Sequence, residues 1–144
     1  MPDPLRLQAL KLLARRDHSR AELQARLAPQ AESADQLSAL LDALQAQHLL
    51  SDHRYASQRV AARAGRYGNA RLKQELRAQG VADDDIAAAV AEGGDEGARC
   101  RAVWARKFAA LPASAAERAR QMRFLQYRGF SSAAIRSVLR GDDA

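Results

Sequence analysis

Leucine and alanine recur along this chain at three- and four-residue spacing with charged side chains between them, the pattern of short amphipathic helices. Leu5, Ala9, Leu12 and Leu13 share one side of a segment from about Leu5 to Arg15. Ser19 with Glu22 three residues on is a capping-box signal, and Leu23 and Leu27 follow at i,i+4. Ser33 with Gln36 repeats that signal ahead of Leu37, Leu40, Leu41 and Leu44. A fourth helix is expected to be capped by Asp52 and to carry Tyr55, Ala56 and Val60; a fifth, opened by Asn69, carries Leu72 and Leu76. The sixth holds Ile86 and Val90, with Asp83, Asp84 and Asp85 in its first turn, where acids favour the helix dipole. A seventh carries Cys100, Val103, Trp104 and Phe108 and stops before Pro112. The eighth opens at Ser114 with Glu117 and presents Met122 and Leu125; the ninth begins at Ser131 and buries Ile135 and Leu139. No alternating run of β-branched residues reads as a strand.

Nine short helices contain an internal repeat. Leu76, Gly80, Val81, Ile86 and Val90 recur, shifted by 49 residues, as Leu125, Gly129, Phe130, Ile135 and Leu139. In both copies a helix ends at a glycine suited to a left-handed C′ position, an apolar residue follows, and another comes five positions later. That is the geometry of a hydrophobic staple, which fixes the angle between consecutive helices. His18, Ser19 and Leu23 echo it less cleanly. The expected fold is all-α: three tandem three-helix repeats over residues 1–50, 51–93 and 94–144, forming an elongated, curved body.

Charge changes the picture more than composition does. The net charge of +6 is distributed in blocks: −1 over residues 1–53, +6 over 54–77, −6 over 78–98, +9 over 99–140 and −2 over the last four. Blocks of this size attract polyanions or acidic protein faces. Arg59, Arg63 and Arg66, at i, i+4 and i+7, are expected to form one basic ridge on the fourth helix, continued by Arg71, Lys73 and Arg77 on the fifth. Arg118, Arg120, Arg123 and Arg128 form a secondary basic face on the eighth. Guanidinium forks suit phosphates and carboxylates alike. Tyr67, between Gly65 and Gly68, either stacks on a base or packs on its neighbouring helix.

Catalytic chemistry finds little support. No phosphate-cradling G-x-x-x-x-G-K-[ST] loop occurs, and His18, His48, His53 and the lone Cys100 lack metal-ligand spacing, so no metal and no cofactor is expected. The serines are committed to helix caps, and Asp83–Asp85 read as dipole partners rather than a cation site. Cys100 reads as a small buried hydrophobe and fits a reducing cytoplasm. No apolar stretch approaches a membrane span, and the amino terminus lacks the pattern of a secretory signal. A non-enzyme that acts by binding is expected.

Four stretches then resemble a known family. Leu12-Leu13-Ala14-Arg15-Arg16-Asp17-His18-Ser19-Arg20-Ala21-Glu22-Leu23 is similar to the opening of RecX proteins, and Leu49-Leu50-Ser51-Asp52-His53-Arg54-Tyr55-Ala56 to their D-x-R-Y-A junction. Gly68-Asn69-Ala70-Arg71-Leu72-Lys73-Gln74-Glu75-Leu76, with Gly80-Val81, resembles their central G-x-x-R-[IL]-x-x-E-L…G-[IV] signature. Phe124-Leu125-Gln126-Tyr127-Arg128-Gly129-Phe130-Ser131, with Ile135, resembles their R-G-F-S-x-x-x-I element. Asn69 stands where the family commonly has proline, and Gln79 where a basic residue is common. The resemblance implies a non-catalytic, cytoplasmic regulator of homologous recombination and the SOS response. It would lie in the groove of the RecA–DNA filament and inhibit filament growth, ATP hydrolysis and strand exchange. It further implies a direct, weaker contact with single- and double-stranded DNA, and a monomer is expected. Tyr55, Leu72, Leu76, Gly80, Gly129 and Phe130 would define the fold, leaving the arginines for contact. Two other readings stay open: a helical module acting on naked nucleic acid, which predicts tight DNA binding with a steep salt slope, and a scaffold for unrelated acidic partners.

Overall fold

A computed structural model describes residues 3–142. Nine α-helices and one 3-10 turn occur among the described residues, and no strand. The helices are α1 (Pro4–Arg15), α2 (Arg20–Leu27), α3 (Ala34–Ala46), α4 (Asp52–Arg63), α5 (Asn69–Ala78), α6 (Asp83–Glu92), α7 (Glu96–Lys107), α8 (Ala115–Tyr127) and α9 (Ser132–Leu139), with the 3-10 turn at Ala28–Gln30. They form two compact units: the chain up to Ala56 with Leu76–Ile86, and Ser57–Glu75 with the chain from Ala87. The boundaries fall inside α4, α5 and α6, so neither unit is one continuous stretch.

In the first unit, Asp3 caps α1 by accepting from the Leu5 amide at 3.0 Å, and Pro4 supplies a first position that needs no amide donor. The expected apolar sides of α1, α2 and α3 close on one another. Leu5, Ala9, Leu12, Leu23, Leu27, Leu37, Leu40, Leu41, Leu44 and Leu50 form one buried cluster. Ser19 completes its capping box, with its Oγ accepting from the Glu22 amide and Glu22 accepting from the Ser19 amide. The Ser19 hydroxyl also donates to the Gln79 carbonyl at 2.7 Å. Gly80 turns the chain there with a φ of +77°.

Three expected caps are differently built. Ser51, not Asp52, caps α4 by accepting from the Arg54 amide at 3.1 Å; Asp52 is the first helical residue and accepts from the Arg20 amide at 2.7 Å. Ser33 and Ser114 accept as expected from the amides of Gln36 and Glu117. The reciprocal bonds run one residue upstream, to the amides of Glu32 and Ala113.

In the second unit, Cys100, Val103, Leu125, Phe130, Ala134, Ile135, Val138 and Leu139 form the buried cluster of α7, α8 and α9. Gln121, buried on α8, accepts from the Trp104 indole at 2.8 Å and donates to the Ala110 carbonyl at 3.2 Å, so its amide is satisfied. The expected repeat is present as local geometry. Leu76, Val81, Ile86 and Val90 are buried, as are Leu125, Phe130, Ile135 and Leu139. Each glycine is left-handed, and each following amide reaches back to the leucine carbonyl: Val81 to Leu76 at 3.1 Å, Phe130 to Leu125 at 3.2 Å.

Candidate functional site

Residues of both basic blocks meet at the turn between α4 and α5, where Arg99, Arg106 and Arg128 donate to its carbonyls. The α4 ladder ends as the amides of Arg66 and Tyr67 both donate to the Arg63 carbonyl. Arg66 therefore lies in the turn, not on α4, and the expected three-arginine ridge on one helix is broken after Arg63. The start of α5 is held from outside. The Gly68 amide donates to the Arg128 carbonyl at 2.8 Å, the Asn69 amide to Glu96 at 2.8 Å and the Ala70 amide to the Gly129 carbonyl at 3.2 Å. Asn69 does not cap the helix; its side-chain oxygen accepts from Arg99 at 2.9 Å. Arg99 also donates to the carbonyls of Ala64 and Tyr67, so it fastens the turn to α7. Burial lowers the Arg99 pKa, with Glu96 and Asp95 opposing.

Tyr67 sits among three guanidinium groups, with Arg71, Arg63 and Arg128 at 4.1, 4.6 and 5.5 Å from its ring centre. The ring thus packs against side chains of α4 and α5, as one of the two alternatives for this tyrosine expects. Arg63 makes a two-pronged bond to Glu75 at 2.6 and 2.7 Å, and Arg71 approaches the same carboxylate at 3.5 Å. The Glu75 hydrogen bond raises the Arg63 pKa. Burial alone would raise Glu75, but its bonds to Arg63 and Arg71 outweigh this and hold the carboxyl below its ordinary value.

The residues expected at the basic ridge thus separate by partner. Arg63 and Arg71 are committed to Glu75, and Arg77, in the first unit, faces Asp83 at 3.6 Å. Arg59, Arg66 and Lys73 have no carboxylate partner among the described residues. The same holds for Arg118, Arg120, Arg123 and Arg128 on and just beyond α8.

The sequence reading missed Arg106, Lys107 and Phe124. With Arg66, Val103 and Arg128 they line an open cleft of about 410 Å³. Arg106 and Lys107 belong to the +9 block over 99–140, whereas the pattern of α7 displays chiefly its apolar side and no sequence signal marks Phe124. Among the described residues no group of His, Cys, Asp and Glu could hold a metal ion, and no helix is long and apolar enough to cross a membrane. Burial pushes the Cys100 thiol up to about 12, and it lies outside this cleft.

These features define a class: an all-α protein of tandem short helices that presents a surface of unneutralised cations. Residues 51–90 match the family model for the second three-helix domain of RecX, and residues 95–139 the model for its third. Regulatory protein RecX of Ralstonia nicotianae is 48% identical over 99% of this chain and 91% of its own. That of Chromobacterium violaceum is 47% identical over 95% of this chain and 90% of its own. The crystal structure of RecX from Lactobacillus salivarius superposes with a TM-score of 0.84 at 19% identity, over 95% of this chain and 93% of that one. The chain belongs to the RecX family of regulatory proteins, and its fold is the family's tandem three-helix fold.

Proposed function

We propose that this protein regulates recombination by binding RecA–DNA nucleoprotein filaments and inhibiting filament growth, ATP hydrolysis and strand exchange. It acts by binding alone, as a cytoplasmic monomer, and also touches single- and double-stranded DNA directly but more weakly. The three-helix repeats, 1–50, 51–93 and 94–144, are the units that carry its contact surface. The observation that supports this most is chemical. Arg59, Arg66, Lys73 and Arg128 hold their charge without a carboxylate partner among the described residues, in a chain otherwise able to pair Arg63, Arg71 and Arg77. Unneutralised guanidinium groups on short helices suit phosphates and acidic faces of a large anionic assembly.

The test is a titration of the protein into RecA filaments on single-stranded DNA while ATP hydrolysis is followed. Hydrolysis should fall at protein concentrations well below that of RecA or near it. Unaltered hydrolysis at stoichiometric protein would overturn the proposal and leave the reading as a module for naked DNA.

A further inference from the structure

The cleft bounded by the 64–68 turn, the end of α7 and α8 is lined by four cations and no carboxylate. Two of its guanidinium groups are held in place without losing charge. Arg106 donates to the Gly65 carbonyl at 2.6 Å and Arg128 to the Arg66 carbonyl at 3.3 Å. Its apolar side is Val103 and the ring of Phe124. Phe108 meets that ring edge-on, centres 5.5 Å apart at 88°. Lys107 and Arg128 stand 5.6 and 5.1 Å from the ring centre. One turn further along α8, Tyr127 is 79% exposed, with Arg71 at 5.9 Å from its ring centre.

An aromatic ring among unneutralised cations, two of them held in place, matches a nucleotide in both its parts: a base for the ring and a phosphate for the cations. The volume is that of a site for one small unit rather than for a helix. An acidic peptide would satisfy the cations but make no use of the ring. A duplex would also leave the ring unused, because its base faces are stacked on one another.

We propose that this cleft seats one nucleotide unit of a single-stranded nucleic acid, its base against Phe124 and its phosphates among Arg66, Arg106, Lys107 and Arg128. This rests on the direct DNA contact within the functional reading above. It assigns Arg106, Lys107 and Phe124 to that contact, and gives it a preference for single strands.

The test uses the full chain, a fluorescent oligothymidylate, a duplex of the same length and anisotropy across a salt series. The double variant R106A/K107A should bind the oligothymidylate about ten-fold more weakly, with a salt slope lower by about 1.4, since each phosphate contact on a single strand contributes roughly 0.7. Phe124→Leu should weaken single-strand binding about ten-fold and duplex binding less than about two-fold. Equal losses on both DNAs for Phe124→Leu, or a double variant with wild-type affinity and slope, would overturn the assignment. So would displacement of the oligothymidylate by micromolar dTMP, which would make this a free-nucleotide site. Should Phe124→Leu lose helicity by circular dichroism, the double variant decides alone. Filament ATP hydrolysis, measured alongside, separates the two proposals. Inhibition by the wild-type protein together with unaltered single-strand binding by the variants sinks only the cleft; absent inhibition sinks only the filament reading.

Discussion

Gly129 carries two duties at one position. Its φ of +87° is costly for any residue with a Cβ, and a Cβ there would collide with the Cβ of Arg71 and stand 2.8 Å from its backbone nitrogen. Gly68 is as confined, since a Cβ would meet the backbone of Gly129 and Phe130. Gly129→Ala should therefore destabilise the protein by at least about 2 kcal/mol, the left-handed penalty plus displacement of α5. Gly65→Ala is its control: a Cβ there meets nothing within 4 Å, and the change should stay within about 0.5 kcal/mol. Thermal melting of both variants checks this; equal midpoints would contradict it. At this scale the sequence was informative, because glycine followed by an apolar residue at a matched interval has one economical explanation, a left-handed helix stop. What it could not reveal was the close approach of Arg71, a contact made by residues 58 positions apart.

Helix joins depend on side chains whose partners lie elsewhere in the chain. Serine caps at Ser19, Ser33, Ser114 and Ser131 were legible because the bond closes within three residues. Asp52 and Asn69 were misread because Arg20 and Arg99, distant in sequence, claim their oxygens. The Arg63–Glu75 pair is likewise non-local and ties α4 to α5. Glu75→Gln should cost about 1 kcal/mol at neutral pH, a modest figure because the pair is partly open to water.

The same pair predicts acid sensitivity. Glu75 and Glu22 are both held below the ordinary glutamate value of 4.5, despite burial, Glu22 by its bonds to Arg16 and the Ser19 amide. Depressed carboxyls stabilise fully above 4.5, and that stabilisation disappears as pH falls through their lower folded-state values. Asp52 opposes them: burial lifts its carboxyl above 3.8, so its protonation in acid recovers a little stability. The melting midpoint should drop as the pH falls below 4.5, and less steeply in Glu75→Gln than in wild type. A parallel decline in both would show that Glu75 contributes nothing to the acid limb.

For the molecule as a whole, block charge carries the account, and it was visible in the sequence before any fold was known. Which cations remain available was not visible. Helix spacing grouped Arg63 with Arg59 and Arg66, whereas only the folded chain commits Arg63 to Glu75 and frees the other two. The arginines that look most alike by spacing thus divide between one that holds helices together and two that have no carboxylate partner among the described residues. The most direct measurement of that claim is affinity for the RecA–single-strand filament beside affinity for the naked strand, for wild type and for R59A/R66A/K73A. The filament should bind wild type at least about ten-fold more tightly than the naked strand. The triple variant should lose most of that advantage while melting as wild type does. Equal affinity for filament and naked strand, or a triple variant that keeps the full advantage, would contradict the account.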